Sequence, residues 1–156
     1  MKQSGGCHCG QFRFETNLDP MLKVQCNCSS CRLLTGSMTM GMWYAEDEFT
    51  FKGEEVFYEY EGGSGGWMKQ GFCPKCHTRV STRLELMEGV VGIPLGCFDN
   101  ALQFDGLQVE IWTSEKLHFI KDHGSFEMSV EDSGMMERLQ TLLVALIHNF
   151  VQFFII

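Results

Sequence analysis

The chain has 156 residues, of which 44% are hydrophobic and 21% charged; this is ordinary globular composition and excludes disorder throughout. Its length predicts one domain with at most a small appendage. The 12 basic residues against 20 acidic ones give a net charge of −8. This balance argues against nucleic acid as a partner, because lysine and arginine supply most of the affinity for phosphate.

Short β-rich segments separated by turn residues occupy most of residues 11–114. Their lengths suit antiparallel strands, and no alternation of helices with strands appears. Residues 62–66 are glycine-rich but lack the Lys-Ser/Thr ending of a phosphate-binding loop, so we expect a hairpin loop there. The sequence predicts an all-β fold with strands at residues 11–15, 22–25, 37–44, 48–52, 56–61, 78–86, 89–95 and 109–113.

The last part of the chain, residues 132–156, has a different pattern. Its apolar residues recur at helical spacing and its polar residues share the opposite face, which predicts an amphipathic helix that Ser133 can cap. We assign residues 1–131 to the β domain, and we expect the helix to pack on a partner surface or to form a homodimer. The run 139–156 has about the minimum length for crossing a bilayer, but its polar residues disfavour a membrane element.

Seven of the eight cysteines are clustered, and only Cys97 stands alone, where we expect it to pack as a small hydrophobic residue. The first ten residues contain no apolar segment typical of a secretion signal, so we expect a reducing, cytoplasmic location. In that setting clustered cysteines are more often metal ligands than disulfides. The clusters are Cys7-His8-Cys9, then Cys26, Cys28 and Cys31, then Cys73-Pro74-Lys75-Cys76.

The number of clustered sulfurs predicts two different metal sites. Thiolates favour zinc or iron–sulfur clusters, and a structural zinc is usually enclosed by four protein ligands. Seven sulfurs do not divide into two fours, so we expect one closed site and one three-sulfur site with a vacant position, as in a catalytic zinc. A second structural site completed by histidine or carboxylate is the alternative, as is a redox pair at Cys73 and Cys76. Spacing alone does not say which clusters share an ion.

The order of the motifs resembles the glutathione-dependent formaldehyde-activating enzyme family, which includes centromere protein V. The resemblance runs from Gly5 to Phe126. The segments that carry it are Gly6-Cys7-His8-Cys9-Gly10, Cys26-x-Cys28-Ser29-x-Cys31-Arg32 with Thr35-Gly36, and Gly71-Phe72-Cys73-Pro74-x-Cys76. The resemblance implies a β-tent fold with two zinc ions. The structural zinc would be held by Cys7, Cys9, Cys73 and Cys76, and the catalytic zinc by Cys26, Cys28 and Cys31.

The activity implied by the resemblance is that of a carbon–sulfur lyase, S-(hydroxymethyl)glutathione synthase, which joins the thiol of glutathione to formaldehyde. We therefore expect glutathione or another small thiol as the partner. An open sulfur-rich zinc suits this chemistry because a substrate thiol would be deprotonated on the metal; polarisation of a carbonyl is the alternative. Arg32 is the candidate for binding a substrate carboxylate, with a surface ion pair as its alternative role.

Several positions depart from the family pattern. His77 stands where glycine is common, so we expect strain in the turn or a polar group near the zinc. Gln70 stands where a basic residue is common, which weakens the case for binding an anionic tripeptide there, and His118 and Phe119 are packing or surface changes. Together with the apolar C-terminal segment, these departures support a rival function, a non-enzymatic interaction module stabilised by zinc.

Overall fold

The computed structural model describes residues 2–121, 126–134, 138, 140, 143 and 144. Strands dominate these residues, so the prediction of a mainly β protein is confirmed. The one α-helix with defined ends among them, α1, is Ser29–Thr35, and four single-turn 3-10 helices also occur. The strands are β1 (Gln3–Gly6), β2 (Arg13–Thr16), β3 (Leu22–Cys26), β4 (Thr39–Ala45), β5 (Thr50–Lys52), β6 (Val56–Glu61), β7 (Trp67–Phe72), β8 (Arg79–Leu84), β9 (Val90–Pro94), β10 (Val109–Ile111) and β11 (Met128–Ser129).

The strands form two sheets. β1, β2 and β5 make a small sheet, and the others make a large sheet in the order β11-β10-β3-β4-β9-β8-β7-β6. Pairing is antiparallel except at β10, which runs parallel to both of its neighbours. The expectation of antiparallel strands is wrong there. Gln25 of β3 and Glu110 of β10 are 85 residues apart in sequence, and so long a connection can return the chain in the parallel direction.

Strand β4 separates two apolar cores, because successive side chains of a strand point to opposite faces. On one face, Met42 and Tyr44 join an aromatic core in which the rings of Phe14 and Phe98 lie 5.1 Å apart. On the other face, Trp43 joins a second core that lies against the middle cysteine cluster. The aliphatic members of the second core include Leu22, Val24, Leu84, Val90, Val109 and Ile111.

The sequence predicted some strands better than others. β6 coincides with the predicted residues 56–61, and the glycine-rich residues after it form the predicted hairpin loop before β7. β1, β7, β11 and α1 were not predicted. β1 has the sequence Gln-Ser-Gly-Gly, without alternating apolar residues. Its Gly5 is required by close packing, since a Cβ there would lie 2.1 Å from the carbonyl oxygen of Cys97.

The predicted C-terminal helix, residues 132–156, falls mostly outside the described residues. Among those that are described, Arg138, Gln140, Leu143 and Val144 are helical. The domain division at residue 131 and homodimer formation through this helix stay predictions. Within the described part of the chain, no helix is long and apolar enough to cross a membrane.

Candidate metal and substrate site

The first and third cysteine clusters come together in the structure. Cys7 and Cys9 lie between β1 and β2, and Cys73 and Cys76 lie in the turn between β7 and β8. The four sulfurs lie within 4.8 Å of one another, with 3.5 Å between Cys7 and Cys9 and 3.7 Å between Cys9 and Cys73. A tetrahedral zinc with bonds of about 2.3 Å requires sulfurs roughly 3.8 Å apart, whereas a disulfide requires about 2.05 Å. The four thiols therefore fit a closed zinc site better than a redox pair.

Backbone and hydroxyl groups stabilise two of the four sulfurs, those of Cys7 and Cys76, as thiolates. The N–H of Phe12 donates to Cys7 Sγ at 3.2 Å, and the Thr78 hydroxyl lies 3.2 Å from Cys76 Sγ. Hydrogen bonding from Thr78, first by its side chain and then by its backbone, lowers the pKa of Cys76 to about 5. Metal ligation requires the deprotonated thiol, so these contacts favour a bound ion.

His77 is exposed in the turn that carries Cys73 and Cys76, and its φ of 55° lies in the left-handed region. The expected strain is therefore confirmed, because a residue with a Cβ is disfavoured in that region. The other expectation was a polar group near the zinc, and His77 does not belong to either group of potential metal-ligating atoms in the described residues.

The middle cysteine cluster forms where β3 turns into α1. Cys26 ends the strand, Cys28 is the N-cap of the helix, and Cys31 lies in its first turn. Their sulfurs lie within 4.8 Å of one another. Cys28 Sγ accepts the N–H of Cys31 at 3.4 Å, as a capping side chain does. Hydrogen bonds from the Cys26 and Cys31 thiols lower the pKa of Cys28, while the same interactions raise that of Cys26.

A buried polar network holds this turn against β10. Glu110 Oε1 accepts from Gln25 Nε2 and from Asn27 Nδ2, each at 3.0 Å, and lies 2.8 Å from the ammonium of Lys116. Asn27 also donates to the carbonyl of Ile111 at 3.1 Å. Both residues that flank Cys26 are thus fixed, which orients the thiols. No spacing rule links Gln25 to Glu110, so the sequence did not reveal this network.

A cavity of about 90 Å³ lies beside the middle cluster, and its lining includes Cys26, Cys28 and Cys31. None of the other four clustered cysteines lines it. The walls are mainly apolar side chains, among them Trp43, Met68, Leu84, Ile93, Ile111 and Trp112.

Arg32 is already engaged by the protein. Its Nη1 donates to the carbonyl of Asn27 at 2.6 Å and to that of Glu115 at 2.7 Å, and its Nη2 lies 3.9 Å from Glu115 Oε2. Glu115 also accepts the N–H of Ser29 at 2.6 Å. Arg32 does not line the cavity. These contacts match the alternative role of Arg32, an ion pair, and they connect α1 to the chain after β10.

Several polar residues that the sequence analysis missed line the cavity instead, among them Tyr60 and Arg79. Arg79 donates to Gln70 Oε1 at 3.3 Å and to the Thr39 hydroxyl, and the amide of Gln70 donates to the Tyr60 hydroxyl at 3.4 Å. Burial, followed by the negative charge of Cys31, raises the pKa of Tyr60 to about 12. A basic group thus reaches Gln70 from the neighbouring strand, which spacing along the sequence cannot show.

The family model described as glutathione-dependent formaldehyde-activating enzyme matches residues 2–115. The chain belongs to this family. The match contains all seven clustered cysteines and both Tyr60 and Arg79. A crystal structure of a Rhodobacter sphaeroides protein is similar with a TM-score of 0.46 and 16% identity, over 81% of this chain and 98% of that one. The comparison with curated proteins finds no significant match.

Proposed function

We propose that the protein is a zinc-dependent carbon–sulfur lyase that joins or cleaves the adduct of a small thiol, such as glutathione, with a small aldehyde. One observation carries the proposal: the cluster of Cys26, Cys28 and Cys31 borders a cavity, and no fourth ligand atom from histidine, cysteine or carboxylate joins it among the described residues. Three protein ligands with an accessible fourth position are typical of a catalytic zinc.

The other cluster serves a different purpose in this proposal. Cys7, Cys9, Cys73 and Cys76 supply a complete set of four sulfurs, so they hold a structural zinc that needs no outside ligand. The protein then carries two zinc ions per chain. A bound zinc in the open site supplies the acidity that ionises a ligated thiol.

The reaction forms one C–S bond. The thiolate sulfur attacks the aldehyde carbon, the π electron pair of the carbonyl moves to oxygen, and that oxygen takes a proton. The proton released by the thiol balances the one that is taken up. Tyr60 is the candidate donor at its hydroxyl, because it lines the cavity and stays protonated at neutral pH. The apolar walls exclude water from the reacting carbon.

A second function, the interaction module, is favoured by one surface. β6 is the edge strand of the large sheet, and its Val56, Phe57 and Tyr58 are each about half exposed, at 48%, 46% and 54%. An edge strand with exposed apolar side chains can pair with another chain. One protein can have both this edge strand and the cavity. An assay of the thiol reaction is therefore needed to decide between the two functions.

The deciding experiment compares the purified chain with its Cys28→Ser variant. We expect about two zinc ions per wild-type chain by elemental analysis. Formation of S-(hydroxymethyl)glutathione from glutathione and formaldehyde, followed by NMR, should fall by about a thousandfold in the variant. Thermal unfolding should change little. The proposal fails if Cys28→Ser unfolds as readily as a variant of the four-thiol cluster, or if turnover persists in it.

Cys97→Ser is the matched control, because Cys97 is a buried cysteine outside both clusters. It should keep both zinc ions and full turnover. A loss of zinc in this control would contradict the assignment of the ligands.

A further inference from the structure

We propose that Arg79 is a positioning residue that stabilises an anionic sulfur ligand at the three-thiol cluster, so that the site selects thiolates over neutral ligands. The inference rests on the proposed function and specifies the charge of the group that binds there. It assigns this role to a residue on β8 rather than to Arg32.

The first observation is that Arg79 lies mostly buried without a carboxylate. Its guanidinium donates to Gln70 and Thr39, both uncharged, and it forms none of the ion pairs found in the described part of the chain. A buried arginine is normally paired with an acidic group, because desolvating an uncompensated charge is costly. The negative charge that compensates the guanidinium of Arg79 must therefore come from another group in the cavity.

Arg83 on the same strand shows the usual arrangement. Its guanidinium lies 2.6 Å from Glu46 and 3.3 Å from Glu55, which pair with it as expected for a partly buried cation. Arg79 and Arg83 are four residues apart on β8, but only Arg79 lines the cavity with the three thiols. The difference in partners follows from what each side chain faces.

The second observation is the charge that the thiol cluster would carry. Three thiolates around a divalent ion have a net charge of −1, and a fourth thiolate makes it −2. In a cavity with apolar walls this charge is unfavourable unless cations lie near it. Among charged groups, Cys31 interacts most strongly with Arg79, and Arg138, which also lines the cavity, interacts with Cys26 and Cys31 and more weakly with Asp132. Two cations therefore face a site that gains negative charge when a thiolate binds.

A neutral ligand such as imidazole would add no charge and would gain nothing from Arg79. The same guanidinium could instead bind a carboxylate of glutathione. The two roles are separable, because 2-mercaptoethanol has a thiol but no carboxylate. Binding of 2-mercaptoethanol and imidazole therefore isolates the effect of ligand charge.

The test uses the full chain loaded with cobalt(II), whose visible absorption changes when the fourth ligand changes. 2-Mercaptoethanol and imidazole are titrated into wild type, Arg79→Gln, Arg79→Lys and Arg83→Gln. Metal content and thermal unfolding are measured for each protein. We expect Arg79→Gln to weaken 2-mercaptoethanol binding about tenfold or more and to change imidazole binding less than about twofold. Arg79→Lys should recover most of the affinity, and Arg83→Gln should match wild type for both ligands.

Three results would overturn the proposal. Equal weakening of both ligands in Arg79→Gln would show a merely structural role. Unchanged 2-mercaptoethanol binding, with weaker binding of glutathione alone, would make Arg79 a carboxylate-binding residue. Arg83→Gln behaving like Arg79→Gln would show a general effect of charge. If Arg79→Gln does not fold, Arg79→Met removes the charge without burying a new amide and gives the same comparison.

The outcome for wild type separates this inference from the proposed function. If the wild-type protein binds no thiol at the metal, the proposed function itself fails. If it binds thiol and Arg79→Gln binds thiol equally well, only the role of Arg79 is wrong.

Discussion

The two cysteine clusters differ in how many pieces of the chain they join. The four-thiol cluster joins the loop between β1 and β2 to the turn between β7 and β8. Cys9 and Cys73 are 64 residues apart in sequence. The three-thiol cluster comes from one stretch of the chain, where β3 ends and α1 begins. An ion in the first cluster closes a long loop, whereas an ion in the second cross-links only neighbouring residues.

This difference supports the proposal that one cluster serves stability and the other serves chemistry. Closing a long loop restricts the unfolded chain strongly, so losing that ion should cost much of the folding free energy. The turn at Cys28 is already held by the N-cap contact and by the buried network at Glu110. We expect it to keep its shape without an ion, and its three thiols line the cavity.

The largest expected effect is on stability. Replacing the fully buried Cys73 in Cys73→Ser should lower the free energy of unfolding by on the order of 5 kcal/mol, because the structural ion is lost with it. Cys28→Ser should lower it by less than about 1 kcal/mol. Urea denaturation of both variants beside Cys97→Ser measures the difference. Equal losses of unfolding free energy in Cys73→Ser and Cys28→Ser would contradict the proposed difference between the two clusters.

The next effect is on turnover. Tyr60→Phe removes the candidate proton donor of the cavity and should slow adduct formation about a hundredfold. Thiol binding to the cobalt-loaded protein should stay unchanged, since the ring is kept. Tyr58→Phe is the matched control: it lies on the same strand, stacks on Tyr60 at 5.4 Å and is 54% exposed. Equal rates for Tyr60→Phe and wild type would remove Tyr60 from the reaction.

The sequence predicted the cysteine sites better than their surroundings. Clustered thiols can be recognised in a sequence because paired metal ligands lie only a few residues apart, as in Cys73-Pro74-Lys75-Cys76. The division into four and three sulfurs needed only a count. Which cysteines share a site was implied by the family resemblance, and the structure groups those same residues. The strand segments were recognised where apolar residues alternate, but β1, with two glycines, lacks that signal.

The two cavity residues Arg79 and Tyr60 were missed for a physical reason. Arg79, Gln70 and Tyr60 lie on three neighbouring strands, and they meet only because β6, β7 and β8 pair side by side in the large sheet. Arg32, by contrast, was singled out because it follows Cys31 directly. Its side chain turns away to backbone carbonyls instead. Adjacency in sequence identified the ligands, but the cavity depends on pairing between strands.

A smaller effect concerns Arg32. Arg32→Gln should destabilise the protein by about 1–2 kcal/mol, because it removes hydrogen bonds to two carbonyls. The KM for glutathione should change less than about twofold, as Arg32 lies outside the cavity lining. Thermal unfolding and steady-state kinetics measure the two effects. A tenfold rise in KM at unchanged stability would instead support carboxylate binding by Arg32.

The smallest expected effect concerns His77, in the turn that carries Cys73 and Cys76. His77 holds a φ of 55°, where a Cβ costs about 1–2 kcal/mol and glycine costs none. His77→Gly should therefore raise the free energy of unfolding, by about 0.5–1 kcal/mol after the greater freedom of glycine in the unfolded chain is subtracted. His77→Ala keeps a Cβ and should give no gain. Both variants should retain zinc, since His77 is not in the ligand group. A stability loss in His77→Gly, measured by urea denaturation, would mean that the exposed imidazole makes a contact worth more than the backbone strain.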